Sequence, residues 1–287
     1  YSLGNPHDLG MIVVPGTYNG LKIDTFIDRI HFTGSVNPGM SGGPVVNSQG
    51  EVVGINVASS GNQIGFLIPH EKLLTLLETI ERDRVSDINQ QISKQLLRNQ
   101  KRFLQAIIDS DWQPKSFGNA VIPDIKLDFI RCWGESNADK TEALFFEAVS
   151  SCSIDEDTYI SDSFQTGTLQ MQFRLLKAKQ LSVHKFYNLY KQRMRGASPD
   201  NSAGKNDVTE YQCQHDLTRS SGSDTTAKSI LCIRAYKKYA DLFDVLYVGA
   251  TVDKDELALI SHFTLSGVEQ SLSLAFAEKF MGSTKWK

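Results

Sequence analysis

The chain has 287 residues, 40% of them hydrophobic and 22% charged, with a formal net charge of −3. These values describe an ordinary globular protein of about two domains. They exclude a low-complexity chain, and they give no reason to expect nucleic acid or an anionic lipid surface as a partner. No run approaches the ~18 consecutive apolar residues that a membrane-spanning helix needs.

The chain opens on Leu3-Gly4-Asn5-Pro6-His7-Asp8, a turn sequence, and continues through an apparent strand over residues 26–32. Gly34-Ser35-Val36-Asn37-Pro38-Gly39-Met40-Ser41-Gly42-Gly43-Pro44-Val45-Val46 follows and is the strongest signal in the sequence. A serine hydroxyl that must reach a substrate carbonyl has to project from a tight turn. Glycine at 39 permits a backbone conformation that other residues reach only with strain. Gly42 and Gly43 let neighbouring backbone come close, and Pro44 starts a strand without needing a ladder N–H. Two apolar strands closed by turn residues come next, over 50–58 and 61–69. The plain alternative for this loop is a glycine-rich surface turn.

Taken together, residues 1–80 resemble the C-terminal β-barrel of a trypsin-like (chymotrypsin-fold) serine peptidase, most of all its high-temperature-requirement (HtrA-like) branch. The resemblance is carried by Leu3-Gly4-Asn5-Pro6, by Asn37-Pro38-Gly39-Met40-Ser41-Gly42-Gly43-Pro44, by Gly50-Glu51-Val52-Val53-Gly54-Ile55-Asn56 and by Gly65-Phe66-Leu67-Ile68-Pro69. It implies a serine endopeptidase that acts through an acyl-enzyme on Ser41. It implies an oxyanion hole made by the N–H groups of Gly39 and Ser41, and a substrate-binding pocket walled by Val36, Asn56, Val57, Ala58 and Gly65. An apolar Val36 implies a small or medium aliphatic side chain at the cleavage site, and the strand around Val57 would pair with substrate backbone as an added strand. No cofactor and no metal is implied, and the partners are polypeptide substrates.

Enzymes of this kind order their catalytic groups His, Asp, Ser along the chain. Only 40 residues precede Ser41, too few for a first barrel. His7, in a turn, and His31, in an apparent strand, read as surface or packing residues. The sequence is therefore expected to be a fragment whose triad histidine and aspartate lie elsewhere, inactive by itself. The alternative function is a catalytically inactive protease-fold binding protein whose C-terminal domain recruits a partner or anchors the protein at an envelope.

Leu73, Leu74, Leu76, Leu77 and Ile80 look like a terminal helix packed on the barrel, which would close a domain over 1–82. Residues 83–112 read as a helical linker, with Lys94, Arg98, Lys101 and Arg102 on a solvated face, the alternative being a contact with an anion. Trp112-Gln113-Pro114 marks a boundary, and 113–287 is expected to be an accessory α+β domain that resembles no known module. Cys132 and Cys152 lie 20 apart in the sequence, and Cys213 and Cys232 lie 19 apart. The first member of each pair ends an expected strand, over 125–132 or 208–213; the second lies on another, over 143–152 or 229–235. A strand with a tyrosine follows each, over 158–160 or 246–248. Then come strands over 169–176 or 257–265, and an apolar helix carrying Phe186 and Tyr190 or Phe276 and Phe280. This order suggests two β-β-β-β-α repeats, 119–196 and 207–287, joined through 195–206; coincidence is the alternative.

The pairing favours the disulfides Cys132–Cys152 and Cys213–Cys232. Disulfides point to an oxidising, periplasmic or otherwise extracytoplasmic location. The alternatives are a zinc site near Cys213 and His215, or four reduced cysteines. The expected fold class is mainly β plus α+β: a partial chymotrypsin-type barrel, a helical linker and an α+β domain.

Overall fold

Short apolar, β-branched runs separated by glycine-containing turns favour strands, and strands dominate the computed structural model. It describes residues 1–23, 25–82, 87–154, 158–161, 163–199, 201–219 and 225–286; positions 83–86 of the expected linker and position 200 of the expected connection lie outside these. The chain divides into two units, Tyr1–Ser86 and Asp87–Lys287.

The first unit contains β1 (Ser2–Gly4), β2 (Ile12–Val14), β3 (Thr17–Leu21), β4 (Ile30–Thr33), β5 (Pro44–Val46), β6 (Val52–Ser59), β7 (Gly65–Pro69) and helix α1 (His70–Arg82). The strands form one sheet in the order β2-β1-β5-β6-β7-β4-β3. β2 and β3 stand at opposite edges, yet only Pro15 and Gly16 separate them, a reach of about 11 Å. Seven flat strands would place those edges about 29 Å apart, so the sheet must curl. The corner residue Gly16 sits against the Phe32 ring, where a β-carbon would overlap it, and Gly34 meets the same ring. Ile30, Phe32, Val36, Met40, Val45 and Leu67 fill the interior. Leu74, Leu76, Leu77 and Ile80 of α1 remain about half exposed.

The second unit begins with α2 (Ile88–Asp109), capped by the Asp87 carboxylate, which accepts the Gln90 N–H at 3.1 Å. The elements that follow are β8 (Trp112–Phe117), β9 (Ala120–Ile125), β10 (Ile130–Ser136), β11 (Phe145–Ile154), β12 (Thr158–Ser161), β13 (Phe164–Thr166), β14 (Leu169–Ala178), α3 (Val183–Arg195), β15 (Gln212–Arg219), β16 (Thr226–Ala235), β17 (Phe243–Thr251), β18 (Leu257–Val268), α4 (Gln270–Ser283) and β19 (Lys285–Trp286). A seven-stranded antiparallel sheet runs β10-β11-β14-β18-β17-β16-β15, beside a β12-β13 hairpin and a small β19-β9-β8 sheet.

Adjacent residues of a strand point to opposite faces, and both faces of the large sheet are apolar at its centre. On one face, Phe173 stacks on Phe280 of α4 at 5.1 Å, and Phe263 meets Phe276 and Phe280, each at 5.1 Å. On the other, Leu176, Val248, Ala250 and Ile260 pack against Phe186 and Tyr190 of α3. The sheet is thus the middle of three layers. α2 packs within this unit: Leu96 joins Phe164, Tyr236 and Leu242. The Lys279 ammonium donates to the carbonyls of Ile108 and Ser110, at 2.5 and 2.8 Å, satisfying groups at the end of α2 that a helix cannot pair internally.

Cys132 is bonded to Cys152 and Cys213 to Cys232, with Cα separations of 4.1 and 4.0 Å. Each bridge joins directly opposed residues of an edge strand and its neighbour, β10 to β11 and β15 to β16. The two expected β-β-β-β-α units take different forms. The first supplies three strands to the sheet and the second four. Tyr159 sits in the separate β12-β13 hairpin, whereas Tyr247 lies in β17. A two-fold relating the neighbouring antiparallel strands β14 and β18 would leave both helices on one face; α3 and α4 cover opposite faces.

Asp244 is fully buried and is met by four donors: Arg234 Nε at 2.7 Å, Tyr236 OH at 2.7 Å, Asn201 Nδ2 at 2.9 Å and the Gly267 N–H at 3.1 Å. His262 is different. It is 5% exposed, and among the described residues its Nε2 has one hydrogen-bond contact, to Thr264 Oγ1 at 3.4 Å. Burial pushes its pKa down from 6.5 to about 4. An unfolded chain therefore takes up this proton first, so the stability due to the neutral ring is complete above pH 6.5 and declines toward pH 4. Urea unfolding across that window should show a loss of up to about 3 kcal/mol. That part of the slope should be missing in His262→Gln; an identical slope in the variant would show that other groups cause it.

Candidate active site

The loop between β4 and β5 is held from inside the barrel. Met40 is fully buried, and this anchor turns its neighbours Gly39 and Ser41 outward. The Met40 N–H donates to Asn37 O at 3.0 Å, and the Gly43 N–H donates to Met40 O at 3.0 Å. Gly39 and Gly42 have φ of 95° and 82°, the left-handed region that favours glycine.

The turn after β1 backs this loop. The His7 N–H donates to Pro38 O at 3.1 Å. Asn5 stiffens the turn by donating to the Asp8 carboxylate at 3.1 Å and accepting the Gly10 N–H at 2.8 Å. A β-carbon on Gly39 would overlap the Asn5 carbonyl oxygen, and one on Gly43 would overlap that of Leu3.

Ser41 is exposed. Among the described residues its hydroxyl has no hydrogen-bond partner. The N–H groups of Gly39 and Ser41 have no acceptor there either, while those of Met40, Gly42 and Gly43 do. The loop therefore presents one hydroxyl beside two unengaged N–H donors, the elements that acyl transfer uses for attack and for holding an oxyanion.

The other residues expected in the site divide. Val36 is 8% exposed and fills the space left by Gly65, where a β-carbon would meet Val36 Cγ2 at 2.7 Å. Val57 lies at a register shift between β6 and β7 and is 37% exposed; Ala58 is half-buried. Asn56 was expected to face substrate, but its side chain is fully buried and points the other way. Its Nδ2 donates to Ser2 Oγ at 2.8 Å, and its Oδ1 accepts from that hydroxyl at 3.1 Å. Its backbone accepts the Gly42 N–H at 2.8 Å and donates to Gly43 O at 2.9 Å. Asn56 thus ties the loop to β1. The signal was legible: one amide in the apolar run Val52-Val53-Gly54-Ile55-Asn56-Val57 needs a buried partner. Ser2, its partner, carried no such signal.

No histidine among the described residues hydrogen-bonds to Ser41. The His31 ring tilts against Phe66 at 6.3 Å between centroids, a packing contact. His7 is exposed and has φ 52°.

Residues 1–55 match the family model of the trypsin-like peptidase domain. The chain is 37% identical over 92 residues to a probable periplasmic serine endoprotease, DegP-like, of Chlamydia pneumoniae, a match covering 29% of this chain and 19% of that protein. It is 38% identical over 87 residues to a protein of the same description from Buchnera aphidicola, covering 27% and 18%. It is 34% identical over 89 residues to a putative serine protease, HhoA, of Synechocystis, covering 28% and 23%. The chain thus spans about a fifth of the length of the curated relatives it matches. The likeness in the first unit is to trypsin-like peptidases of the HtrA-like branch.

The geometry separates two glycine requirements. Gly42 has φ 82° but nothing within 4 Å of a β-carbon, whereas Gly43 faces the Leu3 carbonyl. Gly42→Ala should cost about 1–2 kcal/mol from backbone conformation alone. Gly43→Ala should cost more, because β1 must move away. Thermal unfolding of the two variants compares them directly; a neutral Gly43→Ala would contradict the close approach of the loop to β1.

Proposed function

We propose that the first unit carries the nucleophile of a serine endopeptidase. Ser41 Oγ attacks the scissile carbonyl and the Oγ–C bond forms. The oxyanion is received by the N–H groups of Gly39 and Ser41. The hydroxyl proton passes to a base and then to the leaving amine as the peptide C–N bond breaks, and water hydrolyses the acyl-enzyme. The observation that carries this reading is the exposed Ser41 hydroxyl beside two N–H groups with no acceptor among the described residues. No described histidine hydrogen-bonds to Ser41, so this reading needs a base and an orienting carboxylate from elsewhere, and the described residues by themselves are expected to turn over little substrate.

Polypeptides are the substrates, and the apolar Val36 packed beside Gly65 favours an aliphatic side chain at the cleavage site. The naming of two relatives as probable periplasmic endoproteases, together with two disulfides, which persist in oxidising compartments, supports an extracytoplasmic location. The second unit is an accessory domain.

The product of the whole coding sequence should be labelled by a fluorophosphonate, and Ser41→Ala should abolish labelling and lower kcat/KM by roughly 10⁴-fold or more. The 287-residue chain should label slowly, since an unassisted serine is a weak nucleophile. Undiminished turnover in Ser41→Ala would overturn the assignment. An absence of labelling in the whole product would favour a binding protein without catalysis.

Specificity gives a separate test. A peptide-library profile should be broad and aliphatic, because an apolar pocket separates related side chains by only about 1–3 kcal/mol. Cleavage dominated by Lys or Arg would contradict the role given to Val36.

A further inference from the structure

One helix about 10 Å across covers roughly two strands, and the large sheet has seven. On its face, α3 shields β14, β18 and the near side of β17 through Phe186 and Tyr190. Beyond it lies a groove of about 820 Å³ between α3 and strands β16 and β17. That volume is within the range of small-molecule sites.

The floor is apolar: Ile230 pairs in register with Val248, and Leu246 lies beside them. The helix wall is one stripe, Tyr187, Lys191, Met194 and Arg195, at the spacing of residues that share a helix face. Tyr187 is 39% exposed. Lys191 and Arg195 are both exposed, and neither has an acidic partner among the described residues. This contrasts with Arg193 of the same helix, whose guanidinium binds Glu147 at 2.9 Å. Across the groove the lining contains a single carboxylate, Asp253. An apolar floor edged by two uncommitted cations fits a ligand with an apolar body and one anionic end. From Tyr187 to the midpoint of Lys191 and Arg195 is about 9 Å along the helix axis, a length that an unbranched alkyl chain of about eight to ten carbons covers.

We propose that this groove binds a free unbranched alkyl carboxylate, with the chain on Ile230, Leu246 and Val248 and the carboxylate between Lys191 and Arg195. The site is independent of Ser41 and of the peptidase reading.

Isothermal titration of the 287-residue chain with decanoate should give saturable binding below about 1 mM. Methyl decanoate, which lacks the charge, and butyrate, which lacks the chain, should each bind at least about tenfold more weakly. Lys191→Glu combined with Arg195→Glu, both at exposed positions, should cost decanoate about tenfold or more with unchanged near-ultraviolet circular dichroism. A readout on the native chain guards against a misfolded variant: decanoate should slow acylation of Lys191 by an amine-reactive reagent, followed by peptide mapping. No saturable decanoate binding, equal affinity for methyl decanoate, or unprotected Lys191 would each overturn the proposal.

Discussion

The first unit depends on one buried amide. Asn56 closes five hydrogen bonds at once, two from its backbone to Gly42 and Gly43, two between its side chain and Ser2, and one from its Nδ2 to the Leu3 carbonyl. A buried amide left without partners would cost about 1–3 kcal/mol, so the arrangement is self-enforcing. β6 cannot take its place without drawing in both the serine loop and β1. The glycine at 43 follows from this constraint: a backbone pulled so close to β1 leaves no room for a side chain there, while Gly42 is required by its positive φ. The exposure of Ser41 follows in turn, because Met40 beside it is committed to the interior.

The second unit answers a different problem. A wide antiparallel sheet has two long edges, and edge strands are prone to fray or to recruit another chain. Here each edge strand is bonded covalently to its neighbour, through Cys132–Cys152 on one side and Cys213–Cys232 on the other. Each bridge removes loop-closure entropy from the unfolded chain locally, worth roughly 3 kcal/mol for about 20 residues in the chain-entropy model. The centre needs no such help. β18 is buried along nearly its whole length, with aromatic rings of α4 on one side and of α3 on the other.

What could be read from the sequence was what local chemistry dictates. The serine loop was legible because its glycines are demanded by turn geometry within a few residues. The cysteine pairs were legible because each closes a short segment between two strands. The mainly β character followed from short apolar runs and turn residues. What could not be read was set by long-range choice. Nothing local in Thr158-Tyr159-Ile160 separates a strand of the large sheet from a hairpin strand outside it. Nothing in the apolar stripes of α3 and α4 says which face each will cover. α2 looked like a connector because its polar residues are numerous; its place in the second unit is decided by Leu96 meeting Phe164, Tyr236 and Leu242, far away in the chain, and Phe103 and Ile107 are buried as well.

The two units also differ in how they treat buried charge and polarity, and the difference bears on where chemistry can occur. In the second unit the buried carboxylate of Asp244 is surrounded by donors from Arg234, Tyr236, Asn201 and Gly267. A charge so fully satisfied is held in place and has little left to offer a ligand; removing one partner would cost stability rather than open a site. The serine loop shows the reverse. Its buried polar groups, on Asn56 and Ser2, are satisfied by each other, while the groups left unengaged are at the surface, on Gly39 and Ser41. Water can solvate them there at little cost, so the fold can leave these donors without protein acceptors and not destabilise itself. Preorganisation of this kind requires both halves of the arrangement: a rigid, satisfied layer beneath and an unsatisfied, wet layer above.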